Sequence, residues 1–358
     1  MGATITSFRV LAVVCCLLAC STALNVNSAD DLIEIFKNAQ ESIVDVDIEI
    51  LNDLNFSGGI LTLPLGASKN GGCIEYSGVL NGNGHMIANI TMTNSSYPHA
   101  GLFCALKDAT VENIIIESSC SFAGHSVGAL SVSVMGSLTM KNVTTRAVVN
   151  GYERVGGFVG YVDGLRQDNT TLLFDNCTSS GVFKGDGISV GGLIGYVGNN
   201  TNINMIVSNS DINPDVYSPD EFGGFVGKIT NNTNLMLSFS DNTIGLSVNS
   251  ENGGSFGGLI GTIGHNIGVK AIVVKCTSDI SFRGDSNIGG LIGVVQNNAN
   301  ISVAVSHSTN AISLEGEYYV GGMIGSCKDN SEIQIVVTDI TNEKIKNFAS
   351  WRYSGGFI

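Results

Sequence analysis

Apolar and polar positions along this chain follow a short pattern that keeps returning: apolar-Gly-Gly-apolar-apolar-Gly. It reads VGGFVG at 155–160, VGGLIG at 190–195, FGGFVG at 222–227, FGGLIG at 256–261, IGGLIG at 288–293 and VGGMIG at 320–325. A shortened SGGFI stands at 354–358, with looser forms AGLF and VGAL at 100–103 and 127–130. The first glycine position falls at 100, 128, 156, 191, 223, 257, 289, 321 and 355, a period of 28 to 35 residues. Self-similarity at such a period marks a solenoid, one elongated body rather than separate globules.

Each unit divides into three parts. The hexapeptide and its tail come first. A turn rich in Asn and Gly follows, as at Gly198-Asn199-Asn200, Thr230-Asn231-Asn232, Gln296-Asn297-Asn298 and Lys328-Asp329-Asn330. A second alternating run then spans 203–208, 235–239, 271–275, 301–305 or 333–337, and a polar, more variable segment closes the unit. Alternation at period two signals a strand. Two firm strands, a weaker third and three corners therefore predict one coil of an all-β, single-stranded parallel β-helix per unit.

The glycine pairs (Gly156 and Gly157, Gly191 and Gly192, Gly223 and Gly224, Gly257 and Gly258, Gly289 and Gly290, Gly321 and Gly322) are expected to turn a sharp corner through φ values other residues resist. The third glycine lets a neighbouring coil come close. Two places beyond it the residue is apolar or Cys (Val162, Val197, Ile229, Ile263, Val295, Cys327), which predicts an inward position. The residue between varies (Tyr161, Tyr196, Lys228, Thr262, Val294, Ser326) and is predicted to face out. That phase also turns outward the apolar residue before the third glycine. Either a bulge resets it or a second surface covers that face.

Upstream, residues 28–39 predict the one convincing helix. Ser28 caps it, Asp30, Asp31 and Glu34 suit its positive end, and Leu32, Ile33, Phe36 and Ala39 form an apolar face. Such a helix is what the open first coil of a solenoid requires as a cap. Short alternating runs at 43–50 and 74–80, with tight turns at Asn81-Gly82-Asn83-Gly84, read as irregular first coils. The plan is a signal peptide at 1–23, a cap and first coils at 24–98, and repeats from 99 to 358, ending inside a repeat.

The hexapeptide resembles the GLUG motif of bacterial and protist surface proteins, here Gly192-Leu193-Ile194-Gly195, Gly258-Leu259-Ile260-Gly261 and Gly290-Leu291-Ile292-Gly293. The run 76–90, with Ala100-Gly101-Leu102-Phe103 downstream, is similar to the lead-in segment of the same family. The resemblance implies a right-handed, pectin-lyase-like β-helix on an exported, adhesin-like protein. It implies no catalytic residues.

Composition narrows the partners. Against 31 acidic residues stand 17 basic ones, a net charge of −14, with no cluster of Lys and Arg to bind phosphates. This argues against nucleic acid. Arg9, the apolar run 10–19 and the small residues Ser21, Thr22 and Ala23 read as a secretory signal, too short for a membrane span. Leu17-Leu18-Ala19-Cys20 also resembles a bacterial lipobox, which would make Cys20 a lipidated terminus. Met1-Gly2 with Thr6 matches a myristoylation pattern, disfavoured by the export run behind it.

Past the signal remain Cys73, Cys104, Cys120, Cys177, Cys276 and Cys327, an even count that permits disulfides without fixing the pairs. Cys177 and Cys276 are three units apart, too far to bridge; buried free thiols are the favoured reading. Nine Asn-X-Ser/Thr sequons occur, at Asn55, Asn89, Asn94, Asn142, Asn169, Asn176, Asn199, Asn231 and Asn300. Asn199 and Asn231, in turns, are the leading glycosylation candidates, with Asn300 and Asn94 beside them, whereas Asn142 and Asn176 lie in apparent strands.

No motif carries catalysis or calls for a cofactor. Five scattered His residues (His85, His99, His125, His265, His307) read as turn or strand residues, and a non-enzyme is expected. Each full unit has an acid shortly before its glycine pair: Glu153, Asp186, Glu221, Glu251, Asp285 and Glu317. Stacked in register they would form a carboxylate ridge, either a cation or partner site or a solvated edge that discourages pairing. Tyr152, Tyr217, Tyr318, Tyr319, Trp351 and Tyr353 cluster near the same edge, where rings can stack on sugars. The reading is a secreted or cell-surface repeat protein of adhesion or surface structure, with an extracellular glycan or protein as ligand. A carbohydrate-binding or carbohydrate-active β-helix is the alternative. End-to-end association at the open last coil is a further expectation.

Overall fold

The computed structural model describes residues 23–39, 42–59, 61–68, 71–93, 98–163, 168–184, 189–217, 219–250, 254–330, 332–349 and 354–355. The signal reading at 1–22, Asn94, Asp186, Glu251, Trp351 and Tyr353 lie outside them. Successive laps stack in parallel, hexapeptide on hexapeptide. Val159 lies opposite Ile194, Ile194 opposite Val226, Val226 opposite Ile260, Ile260 opposite Ile292 and Ile292 opposite Ile324. The hexapeptide tails, with Ile43–Val44 and Glu75–Tyr76 of the first coils, build a sheet of ten parallel strands, and the other sides of the coil join in one continuous 29-stranded sheet. The chain is a parallel β-helix.

Three strands frame each lap. The tails include Ile194–Gly198 and Val226–Thr230. The second side is built from Thr201–Ser208, Thr233–Ser240, Ile267–Val274 and Ala299–Ser306. The third side is firmer than its polar sequence predicts: Thr277–Gly289 and Thr309–Gly321 are strands of 13 residues. Ile280 and Phe282 point into the bore while Ser281 and Arg283 face water, so polar partners hide a true alternation. Inside, each position of one lap sits on the same position of the next, as in the buried column Met205, Leu237, Ala271 and Val303. Each fully buried aliphatic contributes about 1.5–3 kcal/mol.

The corners correct the sequence reading. None of the paired glycines from Gly156 to Gly290 adopts a positive φ. Left-handed residues at the first corner are instead Asn199 (57°), Asn231 (57°), His265 (57°), Asn297 (53°) and Asp329 (52°), mostly the Asn and Asp that tolerate this conformation. The glycines are needed for space. A Cβ on Gly191 would fall on the carbonyl of Ile194, one on Gly192 on the carbonyl of Gly224, and one on Gly195 would lie 2.5 Å from the amide of Val155.

The phase question also resolves. The amides of Leu193 and Ile194 both donate to the carbonyl of Phe225, and those of Phe225 and Val226 both to Leu259. The chain bends there, so Leu193 and Ile194 both turn inward; Val197 is buried as well, so the alternation is broken again at Gly195, with no shift of register between laps.

Buried asparagines hold the first corner together. The side-chain amide of Asn200 donates to Asn232 (3.0 Å), that of Asn232 to Asn266 (3.0 Å), Asn266 to Asn298 (3.2 Å) and Asn298 to Asn330 (3.1 Å). The side-chain oxygens of Asn232, Asn266, Asn298 and Asn330 also accept the backbone N–H of the rung before, as Asn266 does from Asn232 at 2.9 Å. A second buried column, Cys177, Ser210, Asn242, Cys276 and Ser308, marks the next corner. There Cys177 N donates to Ser210 Oγ (3.1 Å) and Ser210 N to Asn242 Oδ1 (3.0 Å).

The predicted helix is Ala29–Lys37, closed by a capping box between Ser28 and Asp31. It buries Ala29, Leu32, Ile33 and Phe36, and the Phe36 ring meets Tyr76 and Phe103 at centroid distances of 6.1 and 5.7 Å. Cys73 and Cys104 form a disulfide that ties the loop beneath this helix to the coil. Cys120, Cys177 and Cys276 are buried free thiols. Burial pushes the Cys177 thiol up to about 12. Thiol-specific alkylation of the native protein should therefore leave these three unmodified, and all of them should react once it is unfolded.

Candidate ligand-binding crease

Where the strand entering each hexapeptide meets the tail leaving it, two columns face one another, and Ser126, Ser133, Ser189, Ser255, Thr262 and Val294 are buried there, the last two contrary to the expectation that they face out. On the entering side His99 pairs with Ser126, Ser126 with Arg154 and Arg154 with Ser189, and Glu221 pairs with Ser255 farther along the column. On the tail side Ser133, Tyr161, Tyr196, Lys228, Thr262, Val294 and Ser326 follow lap by lap. The first glycine of each pair allows this crease, because a side chain there would strike the tail strand, as at Gly191 against the carbonyl of Ile194.

Chemistry gathers along it. The Arg154 guanidinium lies 5.0 Å from the centre of the Tyr161 ring and 4.7 Å from that of Tyr196, one lap on. Beside it Glu153 reaches Arg154 Nε at 3.9 Å and His125 Nδ1 at 3.4 Å, and the His125 ring stands 5.6 Å from that of Tyr152. Burial holds the His99 imidazole below its usual range, with the neighbouring His125 and Arg154 acting the same way and Glu153 opposing them. Farther along, Lys228 Nζ meets Glu221 Oε1 at 3.1 Å. Arg and Tyr presented together offer a flat aromatic surface and a fixed hydrogen-bond fork.

Glu221 shows a cost of burial. Desolvation raises its carboxyl above the ordinary 4.5, and the charge and hydrogen bond of Lys228 only partly oppose this. The folded chain thus holds that proton more tightly than the unfolded one. Ionised Glu221 costs stability above its folded pKa and nothing below 4.5. Glu221→Gln should raise the melting temperature at pH 7, with the gain fading as the pH falls toward 4.5.

Of the acids expected to align, the described ones do not form one column. Glu153 sits with His125 and Arg154; Glu221 occupies the lap position of Ser255; Asp285 and Glu317 share a position between the pairs Gly284–Gly316 and Ser286–Tyr318. The reason is spacing: Glu153 precedes its first glycine by three residues, Glu221 by two, Asp285 and Glu317 by four. Among the described residues no three of His, Cys, Asp and Glu come together to hold a metal.

Nor do the expected tyrosines form a row. Tyr152 and Tyr217 are 59% and 55% exposed; Tyr152 stands by His125, and Lys184 lies 6.0 Å over Tyr217. The rings that do come together are Tyr161 and Tyr196, each against Arg154, recognisable in the sequence only as variable residues expected to face out. Joining them to Arg154 requires the lap register.

No family model matches the chain, and no solved structure matches it. Halomucin of Haloquadratum walsbyi (strain DSM 16790 / HBSQ001) is similar to it, 32% identical over 126 residues. The match covers 34% of this chain and 1% of Halomucin, so the chain spans a very small part of that relative. Among the described residues no helix is long and apolar enough to cross a membrane.

Proposed function

We propose that this protein is an exported, non-enzymatic β-helical rod of the GLUG-repeat kind, which displays a ladder surface outside the cell for adhesion or surface architecture. One observation carries the reading. Laps of nearly equal length repeat the same glycine triplet, buried Asn and aliphatic bore, so the regularity of the sequence is spent on extending a stiff surface. The likeness to a stretch of Halomucin supports a surface or structural repeat protein. The test is to present the purified protein to intact cells and a panel of polysaccharides, measuring retention and release of reducing or unsaturated ends. Binding without release is expected; sustained depolymerisation would overturn the proposal.

A second reading, carbohydrate binding along the crease, is favoured by Arg154 lying against Tyr161 and Tyr196. Sugar faces stack on such rings, and the guanidinium recognises hydroxyl or carboxylate oxygens. Replacing Tyr161 and Tyr196 by alanine together should abolish retention on the best polysaccharide while the protein stays folded. Unchanged retention would remove this reading and leave the rod.

A further inference from the structure

Stacking of the laps divides the sequons into two classes. At the second corner the Asn142 side-chain amide donates to Asn113 Oδ1 at 3.0 Å, and that of Asn176 to Asn142 Oδ1 at 3.2 Å. In the first coils Asn89 donates in the same way to Asn55 at 3.0 Å. The nitrogen a glycan would occupy is, at these three positions, the atom that joins one lap to the next. A sugar carbon bonded there replaces one of the two amide hydrogens and competes with the bond to the neighbouring lap, about 4.8 Å away. Asn55, the first rung, lends only its oxygen to the ladder.

The first corner is different. Asn169, Asn199, Asn231 and Asn300 are exposed and left-handed, at φ 68°, 57°, 57° and 57°, as Asn89, Asn142 and Asn176 also are at 62°, 53° and 53°, so the two classes differ in their side-chain hydrogen bonds alone. Among the described residues the Asn169, Asn231 and Asn300 side-chain amides donate to no partner, and Asn199 makes a long contact of 3.4 Å to Asp163. Register puts them on one edge. Thr201 pairs with Thr233, which sets Asn199 over Asn231. Asp168 pairs with Thr201, and Val269 with Ile301, which sets Asn169 and Asn300 three residues farther round the same corner.

We propose that this corner is the N-glycosylated edge of the rod, with Asn169, Asn199, Asn231 and Asn300 as acceptors, and that Asn89, Asn142 and Asn176 stay unmodified. The inference rests on the export reading above. Nδ2 attacks the anomeric carbon of an oligosaccharide carried on a polyisoprenyl phosphate or pyrophosphate. The C1–Nδ2 bond forms, the C1–O bond to phosphate breaks, the lipid phosphate leaves, and the amide proton passes to a base of the membrane transferase. Transfer precedes closure of the laps, so the ladder acts by selection: a chain modified at Asn142 closes that rung less readily, and less of it is released folded. Asn199 and Asn231 stand one lap apart, so their glycans compete for the same space.

The test expresses the full chain with its own leader in eukaryotic secretory cells and maps the secreted protein by enzymatic deglycosylation in heavy-oxygen water and peptide mass spectrometry. A parallel sample carries residues 24–358 behind a leader of proven function. Occupancy at the first corner is expected to exceed that at Asn89, Asn142 and Asn176 by about tenfold or more, since one lost ladder bond already shifts the folded population by about that factor. Asn199→Gln is expected to raise occupancy at Asn231. Secreted, folded protein modified at Asn142 or Asn176 as fully as at the first corner overturns the inference, as does a bare first corner in the parallel sample. If the pattern appears only behind the proven leader, the export reading fails and the division of the sequons stands.

Discussion

Gly192→Ala should destabilise the rod by about 4 kcal/mol or more, among the largest effects of adding one methyl group. The new Cβ would lie on the carbonyl oxygen of Gly224 in the next lap and 2.5 Å from Ile212 Cγ2. The oxygen belongs to backbone fixed on either side by inter-lap hydrogen bonds, including those from Leu193 and Ile194 to the carbonyl of Phe225. Relief therefore requires two laps to separate, and their neighbours contribute nothing until they come back together. The comparison is Gly264→Ala, whose Cβ would meet nothing nearer than 3.6 Å. That change should move stability by about 0.5 kcal/mol at most, since it also stiffens the unfolded chain. Urea unfolding followed by circular dichroism reads both. Equal midpoints for the two variants would show that the hexapeptide glycines are not there for close approach.

Asn266→Ala has the other large expected effect, about 3 to 5 kcal/mol. Its side-chain amide donates to Asn298 Oδ1 (3.2 Å), to the carbonyl of Gly264 (2.8 Å) and to that of Ile229 (3.2 Å). Its oxygen accepts both the backbone and side-chain N–H of Asn232, at 2.9 and 3.0 Å. Alanine leaves these donors and acceptors inside the rod, where water cannot replace the missing partner. Asn330, the last rung described and only half-buried, should lose about 1 kcal/mol on the same change, because solvent can reach what it leaves behind. Thermal melts of the two variants side by side measure the difference. A small shift for Asn266→Ala would mean the ladder is decoration on a stack held by its apolar bore.

Much of the architecture was legible in the residues. The recurring hexapeptide gave the lap, and Ser28 with Leu32, Ile33 and Phe36 gave the capping helix, because both rest on local pattern. The buried Asn was also available. Asn200, Asn232, Asn266, Asn298 and Asn330 keep one position while the residue before them changes from Asn to His to Asp, which marks the first as inward and the second as a solvent corner. What could not be read is whether a glycine serves conformation or space, since both leave the same letter. The crease was hidden for a different reason. Arg154, Tyr161 and Tyr196 meet only once the lap between Tyr161 and Tyr196 is known to be 35 residues, and the acids failed to align because their spacing to the glycines varies by a residue or two. Stacking turns small differences in segment length into different places on the surface.

The bonds between laps run along the axis of the rod, so tension on its two ends loads them one rung at a time rather than all at once. Each lap that peels away releases some 32 residues, as between Ile194 and Val226, while the rest of the stack keeps its full complement of contacts. That is a slack length of about 100 Å in exchange for a rise of about 5 Å. A molecule built in this way and fastened at both ends behaves as a shock absorber, yielding lap by lap and rewinding from whatever remains coiled.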